Sequence, residues 1–157
     1  MILSRTTEYA LSVLAFMATR NQKMYAAELL HKELKIPRQY LRRLLTDLSR
    51  KGFIVSIRGR NGGFVFARDM STINIAQVID AMEGADAMNT CLLGFTACIA
   101  GHPCVMHDLW AESRSKVIET LTSTTLADLN EKYQKDIATY CLRPVTCHVS
   151  RVTYHEY

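Results

Sequence analysis

The sequence predicts a mainly α-helical chain with one small β-hairpin, and three observations carry that prediction. Apolar residues recur at helical spacing in successive stretches from the N-terminus to about residue 133. Two short runs rich in β-branched and aromatic residues, 53–57 and 64–67, flank an Asn61-Gly62 pair. With 157 residues, 48% hydrophobic and 22% charged, the chain fits one folded domain, or one domain with a small appendage, and excludes wholesale disorder.

Leu3, Thr7, Ala10, Leu11, Leu14, Met17 and Ala18 share one helical face behind Ser4, a residue suited to N-capping, so a helix is expected over 4–20. A polar link, 21–23, leads to a second helix over 26–34. Pro37 then opens a third, because its missing N–H costs nothing in the first turn. Leu41, Leu44, Leu45 and Leu48 form the i, i+3, i+4, i+7 stripe of that helix, and Gly52 ends it. Its opposite face carries Arg38, Gln39, Arg42, Arg43, Thr46 and Arg50. Two helices joined by a tight turn, the second of them basic, make a helix-turn-helix. The two β runs with the Asn-Gly signal of a type I′ turn add a hairpin, completing a winged helix over 1–70.

Beyond the wing, Asn74 and Gln77 have capping-box spacing, and Ile75, Val78, Ile79 and Met82 mark a helix closed by Glu83-Gly84. A cysteine-bearing loop covers about 85–104. A further helix is expected from about Met106 to Leu121, through Leu109, Trp110 and Val117, long enough to pack against a copy of itself. Thr125 with Asp128 caps a last helix to Tyr133. The expected division is thus 1–70, 71–133 and a tail, 134–157.

Charge follows the same division. Residues 1–70 hold thirteen Lys or Arg against five Asp or Glu, a net +8, whereas 71–157 hold six against ten, a net −4. A basic half on a small chain points to a polyanion. In a winged helix the polyanion is double-stranded DNA, with the second helix of the motif in the major groove, where Arg and Gln read base edges in pairs of hydrogen bonds. Arg58 and Arg60 at the hairpin tip would reach the phosphate backbone or the minor groove. No nucleotide-binding loop, catalytic dyad or substrate pocket can be read, so an enzyme is not expected.

Arg5, Glu8 and Arg20 interrupt or bound the apolar stretch of the first twenty residues, no signal-type cleavage site follows, and no run is long enough to span a membrane. The expected compartment is the cytoplasm, where five cysteines read as metal ligands or redox thiols rather than disulfides. Three of them form Cys91-x6-Cys98-x5-Cys104, with His107 three residues further on at a helix start. The spacing lacks the paired C-x2-C knuckles of zinc ribbons and suits a larger inorganic core such as an iron-sulfur cluster. Zinc and free thiols remain the alternatives from spacing alone.

Taken in order, TTEYAL, IPRQYLRRLLTDLSRKG, RGRNGGF, INIAQVIDAMEG, the three-cysteine loop, CVMHDLW and TLADL resemble the Rrf family of bacterial winged-helix transcription regulators, the IscR-like members and their relative NsrR in particular, over residues 1 to about 133. The resemblance implies a homodimer joined through the long helix after the cysteines and reading a palindromic operator, most often as a repressor. It implies that Cys91, Cys98 and Cys104 hold an iron-sulfur cluster whose status, redox state or reaction with nitric oxide changes DNA binding. In IscR-like members a histidine at the place of His107 is the fourth ligand of a 2Fe-2S cluster. In others an acidic side chain at the place of Glu8, supplied by the partner subunit, completes the set, giving a 4Fe-4S alternative. We favour His107, because C-x2-H on a helix supplies a ligand without the partner chain. A cluster-independent thiol or zinc regulator on the same fold is the other reading.

Two departures from the family pattern stand out. The first cysteine interval is six residues where five is common, and Arg42 occupies a position that is acidic in members discriminating two DNA site classes. Arg58 matches the wing arginine that enters the minor groove. The tail carries Cys141-x5-Cys147-His148, either an additional metal or thiol site or two ordinary cysteines.

Overall fold

A computed structural model describes residues 3–20, 22–60, 62–84 and 106–140, with the backbone alone for 134–140. The cysteine loop with Cys91, Cys98 and Cys104, the wing-tip Asn61, and the tail with Cys141 and Cys147 lie outside the described residues. Helices α1 (Arg5–Thr19), α2 (Ala27–Leu34) and α3 (Arg38–Arg50) precede strands β1 (Ile54–Ile57) and β2 (Gly63–Phe66). A 3-10 turn (Met70–Thr72) leads to α4 (Ile75–Glu83), α5 (His107–Ser123) and α6 (Leu126–Tyr140).

α1 is the centre of the core. Ala10, Val13, Leu14, Met17 and Ala18 are fully buried and pack with Leu30 of α2, the leucine stripe of α3, Val78 of α4 and Leu126 of α6. Ser4 caps α1 as expected, its Oγ accepting the Thr7 N–H at 3.3 Å. Pro37 sits one residue earlier than expected, at the N-cap of α3, its carbonyl receiving the Leu41 N–H at 2.9 Å. The other end of α3 closes in a Schellman motif: Gly52 takes φ +76°, its N–H reaches the Ser49 carbonyl at 3.1 Å, and the Phe53 N–H reaches Leu48 at 3.0 Å.

The hairpin forms within one residue of where the two β runs place it. The register pairs Ile54 with Phe66 and Ile57 with Gly63, so the strands are joined by the five residues 58–62, one fewer than the 58–63 left between the two β runs. The Gly62 N–H to Gly59 carbonyl bond, 3.0 Å, closes the tip of the hairpin, with Gly59 at φ +131°. A Cβ on Gly62 would overlap the Ile57 carbonyl, and one on Gly63 would lie 2.7 Å from the Tyr25 carbonyl oxygen. The second contact follows from a feature no local pattern announced. Tyr25 pairs with Phe64 through reciprocal backbone bonds of 2.9 and 2.8 Å, adding a one-residue third rung to the hairpin. The buried Tyr25 hydroxyl donates to the Met17 carbonyl at 2.6 Å, so the wing is anchored to α1.

Caps on the later helices follow the sequence with one change. Asn74 accepts the Gln77 N–H at 2.8 Å, but the Gln77 side chain accepts from Arg68 at 3.2 Å instead of returning to Asn74. Thr125 and Asp128 form the full reciprocal box: the Thr125 hydroxyl accepts the Asp128 N–H at 3.2 Å, and Asp128 accepts the Thr125 N–H at 2.8 Å. α6 runs to Tyr140, seven residues past the end expected from the sequence, because Gln134–Tyr140 contains no Gly or Pro to stop it. No helix among the described residues is long and apolar enough to cross a membrane.

Three carboxylates are held below their ordinary range: Glu83 by hydrogen bonds from Ser4 and Thr7, Asp69 by Ser71, and Asp128 by Thr125. Each contributes stability that is present above its unfolded-state pKa and lost as pH falls through the lowered folded value. Thermal unfolding midpoints should therefore hold steady from pH 7 down to about 5 and drop as pH passes below about 4. A midpoint that rises on acidification would contradict these bonds.

Candidate nucleic-acid interface

The exposed basic face of α3 is set by the leucines on its other side. Leu41, Leu44, Leu45 and Leu48 are at most 2% exposed, which fixes the rotation of the helix about its own axis. Arg38, Gln39, Arg42, Arg43, Thr46 and Arg50 are consequently all exposed, as expected. At 100° per residue, Gln39, Arg43, Thr46 and Arg50 point most directly away from the core, with Arg42 and Arg38 along one flank.

These side chains differ in what holds them. Arg38 is tied to Glu28 of α2 at 2.6 Å, and Arg50 lies 3.8 Å from Asp47. Both pairs are largely exposed and contribute little to stability; they orient the guanidinium groups. Arg42 and Arg43 make no ion pair among the described residues, so their charge is available to a partner. Arg58 and Arg60 are exposed at the wing tip, beside the turn closed by Gly59 and Gly62. α3 and the wing thus present arginines from two elements set on one core.

The predicted cluster ligands are only partly accessible to description. His107 is the first residue of α5 and is exposed. Glu8 lies in the first turn of α1, half-exposed, with Arg5 at 3.5 Å. Among the described residues no group of three or more His, Cys, Asp or Glu is placed to hold a metal ion, and the three cysteines lie outside them.

α5 departs from the other helices in burying none of its residues. Its packed side, with Ile118 and Leu121 against Ala76 and Ile79 of α4, is only half-covered, and Leu109 and Val117 remain 64% and 40% exposed.

Sequence reasoning missed Tyr25, which anchors the wing to α1, and Glu28, which holds Arg38, as well as the contacts of Glu83. Glu83 was read only as a helix end, and nothing in its own neighbourhood signals that its partners are Ser4 and Thr7, 79 and 76 residues away.

Comparison with known proteins agrees with this geometry. The Rrf2 family model, described as iron-dependent transcriptional regulators, matches residues 3–132. An HTH-type transcriptional regulator of Aquifex aeolicus is 34% identical over 131 residues, covering 82% of this chain and 91% of its own length. IscR of Yersinia pestis is 32% identical over 90 residues, which cover 57% of this chain and 54% of that protein. Among solved structures, CymR, the global cysteine regulator of B. subtilis, superposes with a TM-score of 0.67 at 25% identity, covering 84% of this chain and 98% of its own. The chain belongs to the Rrf2 family: it is a winged-helix transcriptional regulator and not an enzyme.

Proposed function

We propose that this regulator is a cytoplasmic homodimer that binds a palindromic operator and represses transcription according to the state of an iron-sulfur cluster. The observation that carries the DNA half is the exposed face of α3, where Gln39, Arg42 and Arg43 are free of ion pairs among the described residues while the leucine face is locked. Gln39 and Arg43 have the donor geometry for adenine and guanine edges, with Arg38, Arg42 and Arg50 on phosphates or flanking bases. Arg58 and Arg60 reach the backbone or minor groove from the wing. The unburied α5, with Leu109 and Val117 exposed, is the surface for a second copy, and two winged helices then read two half-sites. In this reading 1–70 binds DNA, 71–133 senses and dimerises, and 134–157 is a tail.

Cys91, Cys98, Cys104 and His107 form the proposed ligand set, for a 2Fe-2S cluster. The donor chemistry fits, being three thiolates and an imidazole, with His107 exposed where the N-terminal dipole of α5 favours an anion. Glu8, the alternative ligand for a 4Fe-4S cluster, would have to give up Arg5. When bound, such a cluster supplies a redox-active, ligand-reactive centre. A His107→Ala protein should show a changed visible spectrum and faster cluster loss; an unchanged spectrum and lifetime would defeat the assignment.

The likeness to CymR favours a second reading, a thiol- or zinc-based regulator without a cluster. Anaerobic purification separates them. Iron and sulfide in the proportion of a 2Fe-2S cluster, lost together in a Cys98→Ser protein, support the first, and colourless protein with intact DNA binding supports the second.

A further inference from the structure

The last turn of α4, Ile79–Glu83, is where the chain leaves the helical body for the cysteine segment, and bonds from both ends of the reading helix lead to it. Glu83 Oε1 accepts the Ser4 N–H at 2.7 Å and the Thr7 hydroxyl at 2.5 Å, so one carboxylate holds the N-terminus of α1. Thr7 is fully buried. On the neighbouring position, the Thr6 hydroxyl shares a 2.5 Å hydrogen bond with the Tyr40 hydroxyl of α3, and Tyr9 meets the Tyr40 ring edge-to-face at 5.4 Å. Tyr40 follows Gln39 directly, so this contact fixes the first turn of the reading helix. At the far end, Lys51 caps α3 and its ammonium donates to the Ala81 carbonyl of the same α4 turn.

α1 is an unbroken helix of 15 residues packed throughout its length, so displacing its first turn moves Thr6 and Tyr9 together. A change at the end of α4 thus acts on α3 at both termini while its leucine face keeps it in the core. We propose that the last turn of α4 is the regulatory coupling element of this protein. The state of the cysteine segment is transmitted through Glu83, Ser4 and Thr7 to Thr6 and Tyr40, and through Ala81 to Lys51, reorienting the helix that reads DNA. The inference rests on the cluster-sensing reading above.

Glu83→Ala and Tyr40→Phe test it, with Glu83→Gln, which keeps an acceptor oxygen, as the conservative rescue. Operator affinity is measured for each protein with and without its cluster, with iron and sulfide quantified and folding checked by circular dichroism. Couplings of this kind are about 5- to 150-fold in affinity. The ratio of the two affinities should move at least about threefold toward unity in Glu83→Ala and Tyr40→Phe, which cut the Glu83 branch and leave the Ala81–Lys51 bond in place, at unchanged cluster content, and recover in Glu83→Gln. Tyr40→Phe removes a hydroxyl only and keeps the test valid if Glu83→Ala fails to fold. A wild-type ratio in either variant, with the cluster retained, overturns the relay. A wild-type protein whose affinity ignores its cluster overturns the sensing reading and the relay with it.

Discussion

Replacing Arg42 and Arg43 together with alanine should weaken operator binding by about 100-fold or more, at about 1–3 kcal/mol for each arginine that contacts a base or a phosphate. The expectation follows from their position. Both are exposed on the helix whose rotation the buried leucines fix, and among the described residues neither is neutralised by an acid. Arg38 and Arg50, which already have carboxylate partners, should each matter less, since binding DNA must compete with an existing pair. The salt dependence divides the two roles. An arginine on a phosphate lowers specific and non-specific affinity alike and reduces the slope of log affinity against log salt by about 1, whereas one on a base edge lowers specific affinity only. We expect Arg43, which points away from the core, to behave in the second way. Fluorescence anisotropy at several salt concentrations checks this, and an Arg42→Ala, Arg43→Ala protein that binds like the wild type would remove α3 from the interface.

Leu48→Ala should cost about 2–5 kcal/mol of stability, a large part of the 5–15 kcal/mol typical of a folded domain. Leu48 is fully buried in the last turns of α3, and its carbonyl also accepts the Phe53 N–H that closes the helix before β1. Truncation leaves a void between α3 and the core at the point where the chain turns into the wing. The measurement is urea unfolding followed by circular dichroism. A midpoint within error of the wild type would mean that α3 is not held by its leucine face, and the rotation argued for its arginines would lose its basis.

Much of this was legible in the sequence because it is written in local patterns. The stripes of α1, α3 and α4, the Ser4, Asn74 and Thr125 caps and the Gly52 terminus each depend on residues within a few positions of one another. The exposed face of α3 followed directly, since the leucines predict their own burial and leave the arginines outside. What the sequence could not convey are pairings between distant segments. Tyr25 adds a rung to the hairpin although it stands alone between a turn and α2, and a single paired residue has no periodicity to detect. The two β runs left 58–63 as their connection, and pairing of Ile57 with Gly63 shortens it by one residue, with Arg60 near the middle. The ties of Glu83 to Ser4 and Thr7 and of Tyr40 to Thr6 exist only because α4 and α3 flank the start of α1. Such hydroxyl and carboxylate contacts are invisible before the core is assembled.

The proposed cluster set divides differently. His107 was expected at a helix start and opens α5, whereas Cys91, Cys98 and Cys104 lie outside the described residues.

The most direct test of the central claim is the operator affinity of one anaerobic preparation, measured before and after its cluster is removed, at fixed salt and with iron and sulfide counted in both samples. The account predicts a cluster-bearing protein whose affinity changes at least about fivefold when the cluster is lost. The same affinity in both samples, or a preparation that never holds iron and sulfide yet binds its operator, would contradict it.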